Sequence, residues 1–350
     1  MPVKTRSDGR LAEVFRESRF TFVDIGARGG LPPHWAPHGP VLNVVAFEPD
    51  PDEAERLVAL IEAAGAQTQV VPSAVWDTAG RKTLHLTRSP GCSSLFPPRV
   101  EYLRQFPHVD RFDVMSRVGV ETQPLDEVEA VRGTPGARFI KIDAQGGALP
   151  VLMGATRTLD SVVGLELEVE LVPIYDGEAL FGEVDVFVRG REFELIDLRP
   201  TYWRRTTARA VPGTRGQLIF GDALYMLSPQ TLAARVAGLP AEAARHLYAS
   251  ALLACQVYRL DDWLFAYAEA VSALSAPAAR LLTDLVPQRR RRAPIPAFPY
   301  QHRLGSWLKD LGDNLIEAGH VWAIAEQRLA NKPRNTRTLT SWLMRRASRS

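Results

Sequence analysis

Five residues near the N-terminus have the types and the spacing of a nucleotide-binding turn. An apolar run contains Asp24 and leads within six positions to Gly26, Gly29 and Gly30. Glycines permit a tight turn and a close backbone approach to a ligand, and such a turn exposes amide donors. Glu48 follows a second apolar run, 24 positions after Asp24, close to the offset at which an acid binds ribose hydroxyls. The pattern predicts a site for a ribose-containing cofactor.

The turn departs from the dinucleotide fingerprint G-x-G-x-x-G. Arg28 stands where a glycine is required, and Pro32 and Pro33 interrupt the expected start of a helix. We therefore keep a nucleotide-cofactor oxidoreductase only as an alternative. An ordinary strand-to-loop turn would explain the glycines alone, but the acid at the end of the second apolar run argues against it.

The elements that must position these residues alternate between strands and helices. Residues 51–65 begin with proline, carry acids in the first turn and end with glycine, which predicts a helix. A second helix is expected at 149–159, and the eighteen residues 199–216 are expected to form a long loop. Apolar runs predict further strands at 22–25, 44–47, 70–71, 82–87, 139–142, 162–172, 192–198 and 217–227.

Length and composition indicate a globular chain, since 350 residues with 46% hydrophobic content can bury a sizeable core. Cys92 and Cys255 belong to no C-x-x-C pair, which supports neither a disulfide framework nor a zinc site and favours a reducing compartment. The N-terminus lacks the apolar segment of a signal peptide, and no run of about 18 apolar residues occurs. We expect a cytoplasmic protein.

Positive charge is concentrated at the C-terminal end. Residues 287–350 contain thirteen Lys and Arg against four Asp and Glu. Such a tail can contact an anionic surface, either a membrane or an anionic glycan. A solvated linker followed by a packed helix and a frayed end is the alternative. We expect no nucleic-acid partner.

Composition and periodicity divide the chain into four segments. The α/β pattern is followed by alanine- and leucine-rich stretches of helical period, for which the aromatic residues Tyr258, Trp263, Phe265 and Tyr267 are expected to form core rather than a partner surface. The predicted segments are a lead-in helix within 1–19, an α/β domain at 20–228, a helical appendage at 229–286, and at 287–350 a basic linker, a helix and a tail.

Seven sequence blocks occur in order between residues 20 and 227: FVDIGARGG, FEPD, PSAVWD, GCSSLF, ETQPLDEV, FIKIDAQGGALPVLMGA and ELVPIYDG. In this order they resemble the FkbM family of methyltransferases. The resemblance implies an α/β, Class I (Rossmann-like) methyltransferase fold with a seven-stranded sheet, here followed by the C-terminal α-helical appendage. It also implies S-adenosylmethionine as methyl donor and O-methylation of a hydroxyl on a sugar, a glycan or a related metabolite.

The resemblance also implies which residues bind the donor. Those around its methionine, ribose and adenine parts are, in chain order, Asp24, Gly26, Ala27, Gly30, Glu48, Pro49, Ser73 and Ala74. Lys141 and Asp143 match the family's block K-I-D-x-E-G at the methyl-transfer point. Gln145 stands where that block has glutamate, and a neutral amide positions an acceptor but cannot take its proton.

Methyl transfer requires alignment of an acceptor hydroxyl and removal of its proton. We predict a catalytic set of Asp143, Lys141, Glu168 and Glu170, with Asp143 as the first choice for base or acceptor anchor. Glu168 and Glu170 follow because 162–172 alternates and places them on one side of a strand. A carboxylate with an ordinary pKa of about 4 is a weak base, so burial or a neighbouring acid must raise that pKa.

Several alternatives stay open at this point. Glu166 and Glu168 can instead pair with arginines such as Arg138 or Arg157. A divalent cation at Asp143 and a strand glutamate is a second version of the site, although the histidines lack metal-ligand spacing and we assign no metal residues. A catalytic histidine at 34 or 38 is a third. A methyltransferase-like binding module without catalysis is suggested by Arg28 and Gln145. Cys92 is expected to line the pocket.

Overall fold

The computed structural model describes residue 15 and residues 20–132, 136–208 and 216–271. The described residues other than Pro32–His34 form one compact unit. Most of the predicted lead-in helix, the later predicted helix within 287–350 and the basic tail lie outside the described residues.

Ten strands occur in the described residues, in two sheets. They are β1 (Phe20–Ile25), β2 (Leu42–Phe47), β3 (Gln67–Val71), β4 (Ala74–Val75), β5 (Gly80–Thr87), β6 (Val114–Gln123), β7 (Ala137–Ile142), β8 (Gly164–Glu170), β9 (Phe193–Trp203) and β10 (Gln217–Leu227). The central sheet has seven strands in the order β3-β2-β1-β7-β8-β10-β9, and a smaller sheet has the order β4-β6-β5. In the central sheet only β10 runs antiparallel to its neighbours. This is the Class I methyltransferase sheet that the sequence predicts.

Helices connect the strands and follow the sheet. They are α1 (Pro51–Ala63), α2 (Val100–Leu103), α3 (Glu129–Arg132), α4 (Ala148–Met153), α5 (Phe181–Arg189), α6 (Pro229–Val236), α7 (Ala241–Tyr258) and α8 (Asp261–Val271). The α1 helix begins as predicted, because Pro51 opens it and the Asp50 carboxylate caps the amides of its first turn. Among the described helices, none has the length and apolar character needed to cross a bilayer.

Strand β6 is not among the predicted strands, and the boundaries of several elements differ from the prediction, one helix and one strand most clearly. The helix expected at 149–159 ends at Met153, where Gly154 packs so closely that a Cβ there would lie 2.1 Å from the Trp76 carbonyl oxygen. Strand β9 continues to Trp203, which pairs with Gln217 of β10, so the connecting loop is shorter than the predicted 199–216. In both cases a contact with a sequence-distant backbone sets the boundary.

One face of the central sheet is aromatic at the amino ends of its strands. Phe22 of β1 and Phe139 of β7 stack against Trp35 at centroid distances of 4.8 and 5.0 Å, and Tyr258 of α7 stacks on Phe139 at 5.5 Å. The hydrophobic core is continuous from β1 to α8, where Tyr267 is fully buried. Phe265, predicted as core, is half exposed.

Strands β1 and β7 end against each other at the carboxyl edge of the sheet. The Asp143 amide donates to the Ile25 carbonyl at 2.9 Å. Gly26 follows with φ +78, and a Cβ at this position would lie 2.0 Å from the Asp143 carbonyl oxygen. Only glycine tolerates both the backbone angle and the approach.

Substitution of Gly26 by alanine tests this contact. Gly26→Ala and the control Gly29→Ala both place a side chain at positive φ, but nothing lies within 4 Å of a Cβ at Gly29. We expect Gly29→Ala to lower the free energy of unfolding by about 1 to 2 kcal/mol. Gly26→Ala should cost about 2 kcal/mol more, because backbone must move. Urea unfolding measures the difference, and equal losses would contradict the proposed clash.

Candidate functional site

Backbone amides of the glycine turn after β1 are already hydrogen-bonded within the protein. Four of its amides have acceptors within the chain: those of Gly26 and Ala27 lie 3.1 Å from the Phe47 carbonyl oxygen, that of Gly29 lies 3.2 Å from Glu53 Oε1, and that of Gly30 lies 3.1 Å from the Ala27 carbonyl oxygen. The prediction that this turn exposes amide donors is wrong at these four positions, because the turn folds back on β2. A pyrophosphate is bound by such donors, so the geometry does not favour a dinucleotide.

Two buried carboxylates stand at the ends of adjacent strands β1 and β2. Asp24 and Glu48 are 2% and 5% exposed, and Glu48 Oε1 accepts a hydrogen bond from the Asp50 amide at 3.0 Å. Burial raises the pKa of both carboxyls. Buried acids separated by one strand spacing can bind an ammonium group and a pair of vicinal hydroxyls.

Arg28 neutralises the acids around the turn. Its guanidinium lies 3.0 Å from Asp50 Oδ2, 3.6 Å from Glu48 Oε1 and 3.8 Å from Glu53 Oε2. The residue that breaks the dinucleotide fingerprint therefore balances the negative charge gathered at the start of α1. It also competes with any ligand hydroxyl for Glu48.

The other residues predicted to bind the methyl donor lie at the same edge of the sheet. Pro49 sits between Glu48 and the N-cap of α1, and Ser73 and Ala74 follow β3. Ser73 Oγ accepts a hydrogen bond from Gln123 Nε2 at 3.0 Å, and Ala74 begins β4. These residues join the central sheet to the smaller one.

Lys141 lies between a residue predicted to bind the methyl donor and the residue predicted to act as the base. Its ammonium lies 3.3 Å from Asp24 Oδ1 and 3.5 Å from Asp143 Oδ2. Burial lowers the pKa of Lys141, but the two carboxylates outweigh burial and raise it above its ordinary value. The amine is therefore charged, and it ties the predicted base to the donor turn.

Gln145 holds two of the predicted catalytic acids together. Its Nε2 donates to Asp143 Oδ1 at 3.1 Å and to Glu168 Oε1 at 2.5 Å. Its Oε1 accepts from the Tyr175 hydroxyl at 2.8 Å, and its carbonyl oxygen from Ser94 Oγ at 2.6 Å. The backbone has φ +48, an angle that few residues other than glycine adopt. An amide suits this position because a carboxylate cannot donate to two acids.

Further acids lie behind this turn. Glu170 is 1% exposed and its Oε1 accepts from the Gly146 amide at 2.9 Å. Glu178 Oε1 accepts from the amides of Ile174 and Tyr175. Burial, reinforced by neighbouring acids, raises the pKa of Glu168 and Glu170 well above ordinary values and that of Glu178 to about 7. Glu170 thus supports the turn from within, while Asp143, with 38% of its side chain exposed, faces solvent.

The sequence offers Arg138 or Arg157 as a partner of Glu166, and the structure gives Glu166 partners on β9 and α7. It pairs with Arg199 of β9 and accepts a hydrogen bond from the Tyr258 hydroxyl of α7. Arg138 instead donates to the Ser161 carbonyl oxygen. Asp222 of β10 lies across from Glu168, 3.9 Å from Arg199, and burial raises its pKa to about 6.

Sequence reasoning missed several of these side chains. Asp222 is an acid within the apolar run 217–227, which is a signal that could have been used. Glu178 follows the ELVPIYDG block directly. Tyr258 and Arg199 carry no local signal, because their roles depend on a helix and a strand packing beside β8.

Aromatic residues of the segment before β6 pack against the end of β9. Trp203 of β9 contacts Phe106 and Phe112 at centroid distances of 5.4 and 6.2 Å. The Cys92 carbonyl oxygen accepts from the Tyr175 hydroxyl at 3.0 Å, and Cys92 is buried. These contacts join the segment before β6 to the β9–β10 hairpin on the side of Gln145.

No cluster of three or more His, Cys, Asp or Glu side chains able to hold a metal ion occurs in the described part of the chain.

Comparison with known proteins identifies the family. The profile of the methyltransferase FkbM domain matches residues 24–195. Residues 24–195 belong to the FkbM methyltransferase family. Membership implies S-adenosylmethionine as the methyl donor, and the FkbM domain contains every site residue predicted from the sequence.

Solved structures and curated proteins add little beyond the fold. A Streptococcus pneumoniae protein proposed to be a tRNA methyltransferase is 12% identical, with coverage of 81% of this chain and 96% of its own and a TM-score of 0.32. A Pyrococcus horikoshii protein proposed to be an RNA methyltransferase is 8% identical, with coverage of 63% and 82% and a TM-score of 0.27. No curated protein matches the chain.

The raised pKa of Glu178 in the FkbM domain predicts how stability depends on pH. Because its folded pKa of about 7 lies above the unfolded value, the folded state binds the extra proton between about pH 4.5 and 7, and stability falls as pH rises through this range. Glu178→Gln keeps the acceptor oxygen but cannot titrate. We expect the unfolding free energy to fall between pH 5 and 8 by about 1 to 2 kcal/mol less in this variant than in the wild type. Urea unfolding at four pH values tests this, and parallel curves would contradict it.

Proposed function

We propose that this protein transfers a methyl group from S-adenosylmethionine to a hydroxyl oxygen of a neutral, hydroxylated acceptor such as a sugar or a glycan. The observation that supports this proposal most directly is the position of Asp143. Its partly exposed carboxylate stands beside the donor turn, with Oδ1 held by Gln145 and Oδ2 near Lys141. A base placed so close to the donor edge suits proton removal during methyl transfer.

The residues at the ends of β1 and β2 fit the donor. Asp24 can take its ammonium group, and Glu48 its ribose hydroxyls, because both carboxylates are buried at the carboxyl edge of the sheet. When bound, the donor supplies an electrophilic methyl group on a sulfonium. It carries no phosphate, which is consistent with a turn whose amides are already used.

The charge at the acceptor edge favours a neutral acceptor. Its acids are Asp143, Glu168, Glu170, Glu178 and Asp222, and the cations beside Asp143 and Asp222 are Lys141 and Arg199, both paired with acids. A polyanion such as RNA would meet this surplus of carboxylates at close range. Hydroxyl groups, in contrast, can donate to carboxylates and accept from protonated ones.

Proton removal would fall to Asp143, because it is the exposed acid of the cluster. The Gln145 amide fixes the direction of its Oδ1 and binds Glu168 through the same nitrogen. Burial and the neighbouring acids raise the pKa of Glu168, which favours its protonated form and limits the negative charge beside the base. Before the acceptor hydroxyl binds, the ammonium group of Lys141 balances the negative charge of Asp143.

A binding module without catalysis is the second candidate, because Gln145 replaces the glutamate of the family block. Such a module would bind the donor but convert no acceptor. The two functions therefore separate in one assay that follows both donor binding and formation of S-adenosylhomocysteine.

Donor binding should depend on Glu48. We expect Glu48→Gln to weaken binding of S-adenosylmethionine by roughly 10- to 100-fold, since the amide keeps one acceptor oxygen but lacks the second and the negative charge that strengthens both hydrogen bonds. The exposed Glu62→Gln on α1 serves as control and should bind as the wild type does. Calorimetric titration measures both, with NAD in parallel. Binding of NAD alone would overturn the proposed cofactor.

Turnover should depend on Asp143. Given an acceptor found in a screen that contains neutral sugars, oligosaccharides and RNA, we expect Asp143→Asn to lower kcat about 10²- to 10⁴-fold at a saturating concentration of the methyl donor. The exposed Asp197→Asn is the matched control. Mass spectrometry of the methylated product gives the readout. Methylation of RNA alone, or undiminished turnover by Asp143→Asn, would contradict the proposal.

A further inference from the structure

We propose that Tyr258, which lies beyond the FkbM domain at the end of α7, is a positioning residue for the donor site and acts through Glu166. This inference rests on the proposed function, because it assigns Asp24 to the donor. It makes the helical segment after β10 a working part of the site.

Tyr258 is held at both ends of its side chain. The ring stacks on Phe139 at a centroid distance of 5.5 Å. The hydroxyl accepts a hydrogen bond from Trp35 Nε1 at 3.1 Å and donates to Glu166 Oε2. Burial, followed by the nearby Glu166 carboxylate, raises the pKa of the Tyr258 phenol well above its ordinary value, so the hydroxyl remains a donor.

Glu166 belongs to a row of charged side chains that crosses the sheet. Asp24 of β1 pairs in register with Lys141 of β7, and Lys141 pairs in register with Glu166 of β8. Adjacent residues in register point to the same face of a sheet. The other oxygen of Glu166 binds Arg199, which also lies 3.9 Å from Asp222. Lys141 is thus attracted by acids on both sides, and Asp24 is one of them.

Loss of the Tyr258 hydroxyl should disturb this balance. Glu166 is 4% exposed, and a buried carboxylate that loses a hydrogen-bond donor takes up a proton more readily. Once Glu166 is neutral, Lys141 is drawn more strongly toward Asp24 and competes with the ammonium group of the donor. The titratable or charged groups that face Glu166 are Asp24, Lys141, Arg199, Asp222 and Tyr258.

The full-length chain offers a matched pair of variants. Tyr258→Phe keeps the ring and removes the hydroxyl that binds Glu166. Tyr267→Phe removes a buried hydroxyl that donates to the Leu227 carbonyl oxygen, a group that does not titrate. Tyr258→Phe also removes the acceptor of Trp35 Nε1, but an indole does not titrate in this range, so only a role through Glu166 makes the two variants differ in their pH dependence.

The experiment measures urea unfolding and calorimetric binding of S-adenosylmethionine between pH 5 and 8.5. For Tyr258→Phe we expect the unfolding midpoint to fall more at high pH than at low pH, because a protonated Glu166 offsets the loss only at low pH. Donor affinity should be about tenfold weaker than wild type at low pH and approach it at high pH. Tyr267→Phe should show a midpoint loss that does not vary with pH and unchanged affinity.

The outcomes separate this inference from the proposed function. If the wild type binds the donor but the two variants behave alike, or if the effects of Tyr258→Phe do not vary with pH, the positioning role is overturned and the function stands. If the wild type does not bind the donor, both are overturned. A pH-dependent affinity loss confined to Tyr258→Phe supports the role.

Discussion

The approach of Gly26 to the Asp143 backbone is the constraint on which the rest of the site depends. Strands β1 and β7 are neighbours, and their carboxyl ends meet without room for a Cβ between them. This contact places Asp24 and Lys141 within an ion-pair distance and sets Asp143 beside the turn. The residues proposed to bind the methyl donor and those proposed to bind the acceptor come from distant parts of the sequence and share one edge of the sheet. Ligand sites in open α/β sheets generally lie at this edge.

The same face of the sheet carries an aromatic cluster and, closer to the carboxyl edge, a row of charged side chains. On β7, Phe139 contacts the aromatic core, while Lys141, two residues further on, lies among carboxylates. The acids of this face are bridged in pairs by groups that can donate to them, namely the ammonium of Lys141, the guanidinium of Arg199 and the amide of Gln145. A neutral residue at 145 thus relieves the crowding of carboxylates.

The segment beyond the FkbM domain is continuous with this arrangement. Strand β10 lies between β8 and β9, and the core runs without interruption into α7 and α8. The helices therefore cover part of the sheet, and Tyr258 of α7 donates a hydrogen bond to Glu166 in the charged row. A family match over 24–195 alone does not reveal this, since the relevant contacts join residues far apart in sequence.

The sequence by itself determined the strand runs of the central sheet, the start of α1, the order of the motifs and the positions of Glu48 and Asp143, but not strand β6. These follow from local chemistry: apolar periodicity, a capping acid, and polar residues that directly follow apolar strands. Tertiary structure alone decided that the turn amides are used internally, that β9 extends to Trp203, and that Tyr258 reaches Glu166. The physical reason is that hydrogen-bond partners, strand register and burial depend on which distant segments pack together, and local sequence does not specify those neighbours.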